Sequence, residues 1–468
     1  MLPKLRRTAA VLSLVGIALS PIDAFATTLQ EALIAAYQNN PSLEANRAGV
    51  RSQDEGVAQA RALGRGTFGL NVEATNSIAN LSPRSAEISR FGATLNASLT
   101  LYDGGRTKDA IASAENTVFA AQANLRAAEQ AILLAAATAY LDVRRDQQFL
   151  ALGYNNVNLI DQQVKATQDR FDVGAVTRTD VALANARLAA ARTSLAANSG
   201  SLALSKEIFR AVVGSEPTNL HVPPPLPAMP GTLAEAESIG VREHPAVIAA
   251  RYTERAAEFD LARARAARLP TIDLGGQLGY THTRTNTPSG DFAFDREETG
   301  ASISLSGNLP LYQGGTLSSQ MRAATQILES RKATTQDTIR AVRQATAIAW
   351  ANMRVSRASI NAATLQIEAN QIAYDGIEEE MRLGARTTLD LLDAEQDLLE
   401  AKSNLASARR DEYVAGFNLL SAMGLLNVTS LNLGIPAYDP NVNFNRVRNA
   451  PITFSGSSVL DAIGDRWK

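Results

Sequence analysis

The chain carries the same plan twice, and this duplication limits the folds open to it more than any other feature. Five short patterns of the first half recur in the same order in the second half, at offsets that drift only from 204 to 210 residues. The matched segments are 28–32 and 232–236, 40–41 and 244–245, 60–61 and 264–265, 101–105 and 311–315, and 174–184 and 384–394. The repetition predicts two structural repeats of one design.

A proline cluster separates the two copies. Six prolines fall between Pro217 and Pro230, and this composition favours an extended linker. A polar segment with Asn, Gly and Pro follows the second copy and resembles neither half. The sequence therefore predicts five parts. They are a signal peptide at 1–26, a first repeat at 27–213, a linker at 214–231, a second repeat at 232–424 and a C-terminal tail at 425–468.

The first 26 residues have the pattern of an export signal. Lys4, Arg6 and Arg7 form a basic start, an apolar run follows, and Ala24-Phe25-Ala26 is a small-x-small cleavage site. The run is too short to cross about 30 Å of hydrocarbon, which disfavours a membrane anchor. We expect the mature chain to begin near Thr27, outside the cytoplasm.

Long helical hairpins are predicted in each half. Proline is absent between Arg106 and Arg170, and apolar residues recur there every seven positions. The second half repeats this register. The repeated positions are Ile111, Val118, Leu125 and Ile132, and then Met321, Leu328, Val342 and Ala349. Such a period is typical of helices that pack along their length as coiled coils. A helix of this size would extend about 90–100 Å.

Four segments alternate apolar and polar residues over about ten positions, at 67–76, 91–102, 271–282 and 300–311. Leu95 and Leu305 lie on the apolar faces, whereas Asn96 and Ser304 lie on the polar faces. This length and alternation fit transmembrane β-strands. An antiparallel sheet covering a soluble core shows the same alternation. The polar faces carry mostly Ser, Thr, Asn and Gly, which favours a water-filled lumen.

Four strands cannot close a barrel, because the smallest bacterial barrels have about eight. An open strand edge in lipid leaves backbone groups unpaired, at several kcal/mol each. If the strands span a membrane, the chain must therefore oligomerise. Two chains would give eight strands and three would give twelve, and the strand pattern does not choose between them.

The composition argues against several other functions. The chain has no cysteine, three histidines and a formal charge of -2. These numbers disfavour thiolate chemistry, a zinc site and nucleic-acid binding, and no motif indicates a cofactor. A secreted enzyme would need a nucleophile–base set, which the sequence does not offer. A periplasmic adaptor or scaffold with long helices is the alternative function, although it would not need the alternating strands.

The paired motifs together resemble the TolC family of outer-membrane efflux and secretion ducts. They are Asn40-Pro41 and His244-Pro245, the Leu-Tyr-x-Gly-Gly corners at 101–105 and 311–315, the Gly-x5-Asp tips at 174–180 and 384–390, and Ala437-Tyr438-Asp439-Pro440. The resemblance implies a mixed α+β membrane protein and a homotrimer. Twelve strands would form one barrel in outer-membrane lipid, continuous with an antiparallel α-helical coiled-coil barrel in the periplasm.

The resemblance also implies partners and a branch of the family. A periplasmic adaptor protein and an inner-membrane ABC or proton-driven transporter would recruit the channel, which would have no enzymatic activity and no cofactor. The absence of cysteine separates this chain from the acylated branch of the family. It favours the branch that serves type I protein secretion and general efflux.

The turn of each long hairpin has a helix-start signal. Gly174 and Gly384 suit the left-handed position after a helix end. Each is followed by a Thr-x-x-Asp capping box, which ends at Asp180 in the first half and at Asp390 in the second. The structural interpretation of both aspartates is this helix cap. Asp393 lies on the same helix face as Asp390, and the cap does not need it.

The resemblance gives the same residues a role in gating. Asp390 and Asp393 match the family's pore constriction, where three chains would bring six carboxylates together. Arg386 matches the arginine of a polar latch at the tunnel entrance, and Thr179 and Asp180 match its partners on the neighbouring hairpin. Met381 stands where the family has a latch tyrosine. Because methionine cannot donate a hydrogen bond, part of the latch is missing or replaced.

Overall fold

The computed structural model describes residues 28–81, 84–286 and 293–448. The predicted signal peptide lies outside these residues, as does the tail beyond Arg448. Both halves of the chain contain the same elements in the same order, namely two helices, two strands and a long helical hairpin. This order follows the duplication in the sequence.

The first half contains α1 (Leu29–Asn39), α2 (Pro41–Ala62), β1 (Thr67–Leu81), β2 (Arg84–Tyr102), α3 (Arg106–Asp172) and α4 (Arg178–Val213). The second half contains α5 (Leu233–Glu243), α6 (Pro245–Ala266), β3 (Thr271–Asn286), β4 (Ala293–Asn308), α7 (Thr316–Arg382) and α8 (Thr388–Ala422). A short helix, α9 (Asn441–Arg448), follows them. We call α3 with α4 the first hairpin, and α7 with α8 the second hairpin.

The repeated x-Pro motif marks the junction of two helices in each half. Asn40 caps α2 through its side-chain oxygen, which accepts the N–H of Ser42 at 3.0 Å, and Pro41 occupies the first helical turn. His244 has the same role at α6, where its Nδ1 accepts the N–H of Ala246 at 3.2 Å. A proline fits this position because the first N–H groups of a helix have no intrahelical acceptor.

The two hairpins are built on helices of 67 residues, α3 and α7. Each would be about 100 Å long at 1.5 Å per residue. Val118 and Leu125 of the seven-residue pattern are buried on α3, as are Leu328 and Val342 on α7. The largest cluster of buried residues includes Tyr140 and joins α1, α3, α4 and the end of α8 with the segment that follows it. None of the described helices combines the length and hydropathy needed to cross a membrane.

The proline-rich segment between the repeats lies along these helices without forming a helix or strand of its own. The hydroxyl of Tyr140 donates a hydrogen bond to the carbonyl of His221 at 2.8 Å, and that of Tyr413 donates to the carbonyl of Pro223 at 3.2 Å. Leu226 packs against Gly416, where a Cβ would lie 2.5 Å from the leucine Cδ1. The segment is therefore fixed to the helical body by specific contacts.

The four strands form one antiparallel sheet in the order β1-β2-β3-β4. They have 15, 19, 16 and 16 residues, longer than the ten or so that the sequence predicts. β2 begins at Arg84, before the expected start at 91, and β4 ends at Asn308, before the expected end at 311. Pro310 accounts for the early end, because proline has no N–H to give to a strand ladder.

Strand pairing brings the apolar positions of all four strands onto one face. Leu95 of β2 lies between Leu70 of β1 and Leu278 of β3, and Leu278 pairs with Ala301 of β4. On the opposite face Asn96 pairs with Gln277. The apolar face is exposed in the single chain, where Leu70 retains 66% of its accessible surface. An exposed apolar face of this extent requires lipid or protein to cover it.

The sheet also has two edges. Within the described residues, β1 pairs with β2 alone and β4 pairs with β3 alone. The outer edges of β1 and β4 therefore carry backbone N–H and C=O groups that have no strand partner in the chain. An edge of this kind serves as a template for pairing with another strand.

Candidate functional site

The turns at the far ends of the two hairpins form the candidate site, and we call them the tips. Each tip turns on a glycine with positive φ, 76° at Gly174 and 81° at Gly384. The residue after each glycine donates its N–H back to the preceding helix. Ala175 bonds to the carbonyl of Arg170 and Ala385 to that of Glu380, both at 2.8 Å. These bonds close the helix ends and position the return helices α4 and α8.

A reciprocal cap starts each return helix, as the sequence predicts. The Asp390 carboxylate accepts the N–H of Thr387 at 2.9 Å, while the Thr387 hydroxyl oxygen accepts the N–H of Asp390 at 3.2 Å. Asp180 and Thr177 make the same pair of bonds at 2.8 and 3.3 Å. The bonds from Thr387 and Thr177 hold the pKa of both carboxyl groups below its ordinary value. Both aspartates are therefore negatively charged at neutral pH.

The acidic face of α8 is larger than the sequence analysis predicts. Asp390, Asp393 and Asp397 all line one cavity of about 200 Å³, together with Arg386. Their spacing of three and then four residues places the aspartates on one side of the helix. Asp397 was missed in the sequence, although this spacing could have identified it. The structure thus brings three of the predicted site residues together, namely Arg386, Asp390 and Asp393, and adds Asp397 as a third carboxylate.

One ion pair joins the two hairpins near their tips. Arg187 of α4 donates from Nη2 to the Oδ1 of Asp393 on α8, at 2.5 Å. The two residues are 206 positions apart in the sequence. Arg187 has no local motif that signals this contact, which depends on how the hairpins pack. It is a residue of the site that sequence reasoning missed.

The residues assigned to the latch have other contacts within one chain. Arg386 donates to the carboxylate of Glu380 on its own hairpin at 2.8 Å, and this contact raises the pKa of the guanidinium. Thr179 is exposed in the first turn of α4. Met381 is buried, and its sulfur accepts a hydrogen bond from Arg170 of the first hairpin at 3.7 Å. The latch between neighbouring hairpins stays a prediction.

A buried carboxyl group, that of Glu395, lies on α8 two residues after Asp393. Glu395 is 5% exposed, and neither of its carboxylate oxygens has a hydrogen-bond partner among the described residues. Burial raises its pKa to about 7. On the facing helix α7, burial and the nearby carboxylates of Glu378 and Glu395 raise the pKa of Tyr374. The protonation state of Glu395 therefore changes near neutral pH.

No group of His, Asp and Glu side chains in the described ranges has an arrangement that could hold a metal ion. The acidic face of α8 is therefore interpreted through its charge. Carboxylates gathered on one surface attract cations and repel anions, and this effect is strongest where they line a narrow passage.

Comparison with known proteins gives consistent matches over most of the chain. The model of the family described as outer membrane efflux protein matches residues 32–215 and 241–425, which are the two halves of the chain. The outer membrane efflux protein BepC of Brucella suis is 34% identical over 94% of this chain and 95% of its own length. The outer membrane protein TolC of Escherichia coli is 27% identical over 96% of this chain and 93% of its own length.

A solved structure shares the architecture. The crystal structure of the outer membrane protein VceC from Vibrio cholerae superposes with a TM-score of 0.71 at 22% identity, covering 85% of this chain and 96% of that chain. This likeness confirms the predicted fold class, in which long antiparallel helices continue into a sheet of four strands per chain. The family match confirms the predicted outer-membrane location and channel function.

The two matched segments correspond to the two structural repeats, and the likeness extends from the strands to the hairpin tips. The chain belongs to the outer membrane efflux protein family, the TolC family that its paired motifs resemble.

Proposed function

We propose that three copies of the chain form one exit duct through the outer membrane. The observation that carries this proposal is the four-stranded sheet, with its exposed apolar face and its two unpaired edges. Pairing β4 of one copy with β1 of the next satisfies the edge groups and turns every apolar face toward lipid. Three copies supply twelve strands, within the range of bacterial barrels, and resemblance to the family favours this number.

The helices continue the duct on the periplasmic side. The first and second hairpins of three copies would line a tunnel about 100 Å long, the length of the 67-residue helices. The tips lie at the end far from the sheet, so they form the entrance. A periplasmic adaptor and an inner-membrane transporter would dock at this end and deliver the cargo. Because BepC is named an efflux protein, we take small molecules as the first candidate cargo, and secreted proteins are the second candidate.

The chain acts as a passive conduit in this proposal. Its selectivity arises at the entrance, where Asp390 and Asp393 of three copies form the constriction. Thr179, Asp180 and Arg386 act as latch residues between neighbouring hairpins. In the single chain Arg386 is paired with Glu380 of its own hairpin, so a latch contact with the neighbouring hairpin requires Arg386 to exchange that partner.

The first prediction tests assembly and conduction together. Detergent-purified protein should have the mass of three chains by light scattering, and it should form ion-conducting channels in planar bilayers. The physical reason is that the edges of the sheet need strand partners from other copies. A monomeric mass in detergent would contradict the duct. A trimer that never conducts would instead support a scaffold role.

The second prediction concerns the charge of the constriction. The double variant Asp390→Asn with Asp393→Asn should markedly lower the preference of the channel for cations over anions, measured as the reversal potential across a salt gradient. Asparagine can still accept the capping hydrogen bond from Thr387, so assembly should be preserved. Glu207→Gln, a neutralised exposed carboxylate at the other end of α4, is the matched control and should conduct as the unmodified channel does. Unchanged selectivity in the double variant would mean that these aspartates do not line the constriction, and that Asp390 serves only as a helix cap.

A further inference from the structure

We propose that the ion pair between Arg187 and Asp393 is the ionic contact that holds the two hairpins of one chain together at the entrance. This inference rests on the proposed function, because it assigns a positioning residue to the gate of the duct. Arg187 would fix the second hairpin in the closed position and offset the charge of one constriction aspartate.

The surroundings of the pair support this role. Leu188 and Leu392, the sequence neighbours of Arg187 and Asp393, are both buried in a small apolar cluster with Ile160 and Ala191. This cluster is a contact between the first and second hairpins. The ion pair lies at its rim, where Arg187 is 42% exposed and Asp393 55% exposed. A movement that separates the hairpins must therefore break the ion pair and expose Leu188 and Leu392 at the same time.

The other ion pairs of the tips lie within one hairpin, and Arg170 crosses to the second hairpin only through a neutral acceptor, the sulfur of Met381. Arg386 pairs with Glu380, Arg382 with Glu379, and both lie on the second hairpin. Lys165 and Arg192 both pair with Asp161, within the first hairpin. Among the described residues of the tips, Arg187 and Asp393 thus form the ion pair that crosses from one hairpin to the other.

The substitution at the family's latch position fits this assignment. Met381 cannot donate the hydrogen bond that a tyrosine would supply, and Asp180 is occupied by its cap with Thr177. A charged contact one to two turns further along the helices would replace the lost one. The Arg187–Asp393 pair also lowers the negative charge of the constriction, because the guanidinium of Arg187 partly cancels the charge of Asp393.

An exposed ion pair is weak by itself, but the trimer contains three copies that open together. Each pair is expected to raise the equilibrium constant for closing by a factor of about 1.4–5. Three pairs together therefore favour the closed state about threefold or more. Removing Arg187 should therefore raise the open fraction at least about threefold and also increase the preference for cations.

The test compares four variants of the full chain in planar bilayers. Arg187→Ser should open the channel, and the exchange variant Arg187→Asp with Asp393→Arg should return it toward the closed state of the unmodified protein. Arg192→Ser is the matched control, because it removes a nearby arginine of α4 whose partner lies on the same hairpin. Arg386→Ser tests the latch inferred from the family. The inference predicts a smaller effect for Arg386→Ser than for Arg187→Ser.

Hydrogen exchange on the detergent-purified trimer gives a readout that does not need conduction. Residues 180–192 and 388–400 should exchange faster in Arg187→Ser than in the unmodified protein, and the exchange variant should restore protection. If Arg187→Ser equals Arg192→Ser in both measurements, the inference is wrong while the duct stands. If the unmodified protein forms no channel, the proposed function fails, and hydrogen exchange still decides whether the pair holds the hairpins.

Discussion

Arginine in place of Leu95 is expected to destabilise the inserted sheet by about 2–4 kcal/mol per chain. Leu95 is the third of five successive apolar-face residues of β2, and it pairs with Leu70 and Leu278. The five residues are Phe91, Ala93, Leu95, Ala97 and Leu99. Leu95 is therefore at the middle of the apolar band, where a charged side chain loses most of its hydration. The yield of heat-resistant trimer in lipid vesicles, followed on gels and by urea titration, measures the effect.

The depth of the residue and its face provide two controls. Leu305 pairs with Leu274, which lies four residues closer to the helical end of β3 than Leu278, so Leu305→Arg should cost less than Leu95→Arg. Asn96→Arg places the same charge on the adjacent residue of β2, whose side chain is on the opposite face of the sheet. It should assemble nearly as well as the unmodified protein. Equal losses for Leu95→Arg and Asn96→Arg would mean that the lipid and lumen faces are exchanged.

In the unmodified protein, the stability of the second hairpin against opening is expected to depend on pH. Glu395→Gln is expected to remove this dependence. The pKa of Glu395 is about 7 in the folded chain, above the value of 4.5 for a hydrated glutamate. Because the folded pKa is the higher one, the folded hairpin binds the proton more tightly than the opened one does. The contribution of Glu395 to the stability of the hairpin is therefore fully present below about pH 4.5, and it is lost as the pH rises to about 7. The total loss is about 3 kcal/mol, from 1.36 kcal/mol per pH unit.

The physical reason is the position of Glu395 in the seam between α7 and α8. The side chain of Asn370 donates to the carbonyl of Asp397 at 3.0 Å, which fixes the register of the two helices at this level. Tyr374, one turn along α7, is the titratable group that faces Glu395. Burial alone raises the pKa of Glu395, and the Arg187–Asp393 pair beside it is already satisfied. An ionised Glu395 would therefore lack a compensating charge.

Hydrogen exchange at pH 5.5 and pH 8, corrected for the intrinsic rate, measures this effect as the opening free energy of residues 388–400. The unmodified hairpin should open more easily at pH 8, whereas Glu395→Gln should show the same opening free energy at both values. Asp397→Asn is the matched control, because it neutralises an exposed carboxylate two residues away and should keep the pH dependence. A pH dependence that persists in Glu395→Gln would assign the titration to another group.

Some features of the site followed from the sequence because their partners are close along the chain. The caps at Asp180 and Asp390 connect residues three positions apart, so the Thr-x-x-Asp pattern is sufficient to predict them. The faces of Leu95 and Asn96 followed in the same way, because side chains alternate along any strand. Strand ends were less predictable, and β4 ended at Asn308 because Pro310 interrupts the ladder.

The sequence by itself determined the two repeats, the long hairpins, the faces of the strands and the helix caps, since each depends on local periodicity or on pairs a few residues apart. The tertiary structure alone decided which distant residues meet. Arg187 reaches Asp393 across 206 positions, and Glu395 is buried on the face of α8 that packs near Tyr374 of α7. Neither residue has a local signal, because burial and ion pairing arise from the relative placement of helices. That placement made Arg187 and Glu395 part of the entrance site.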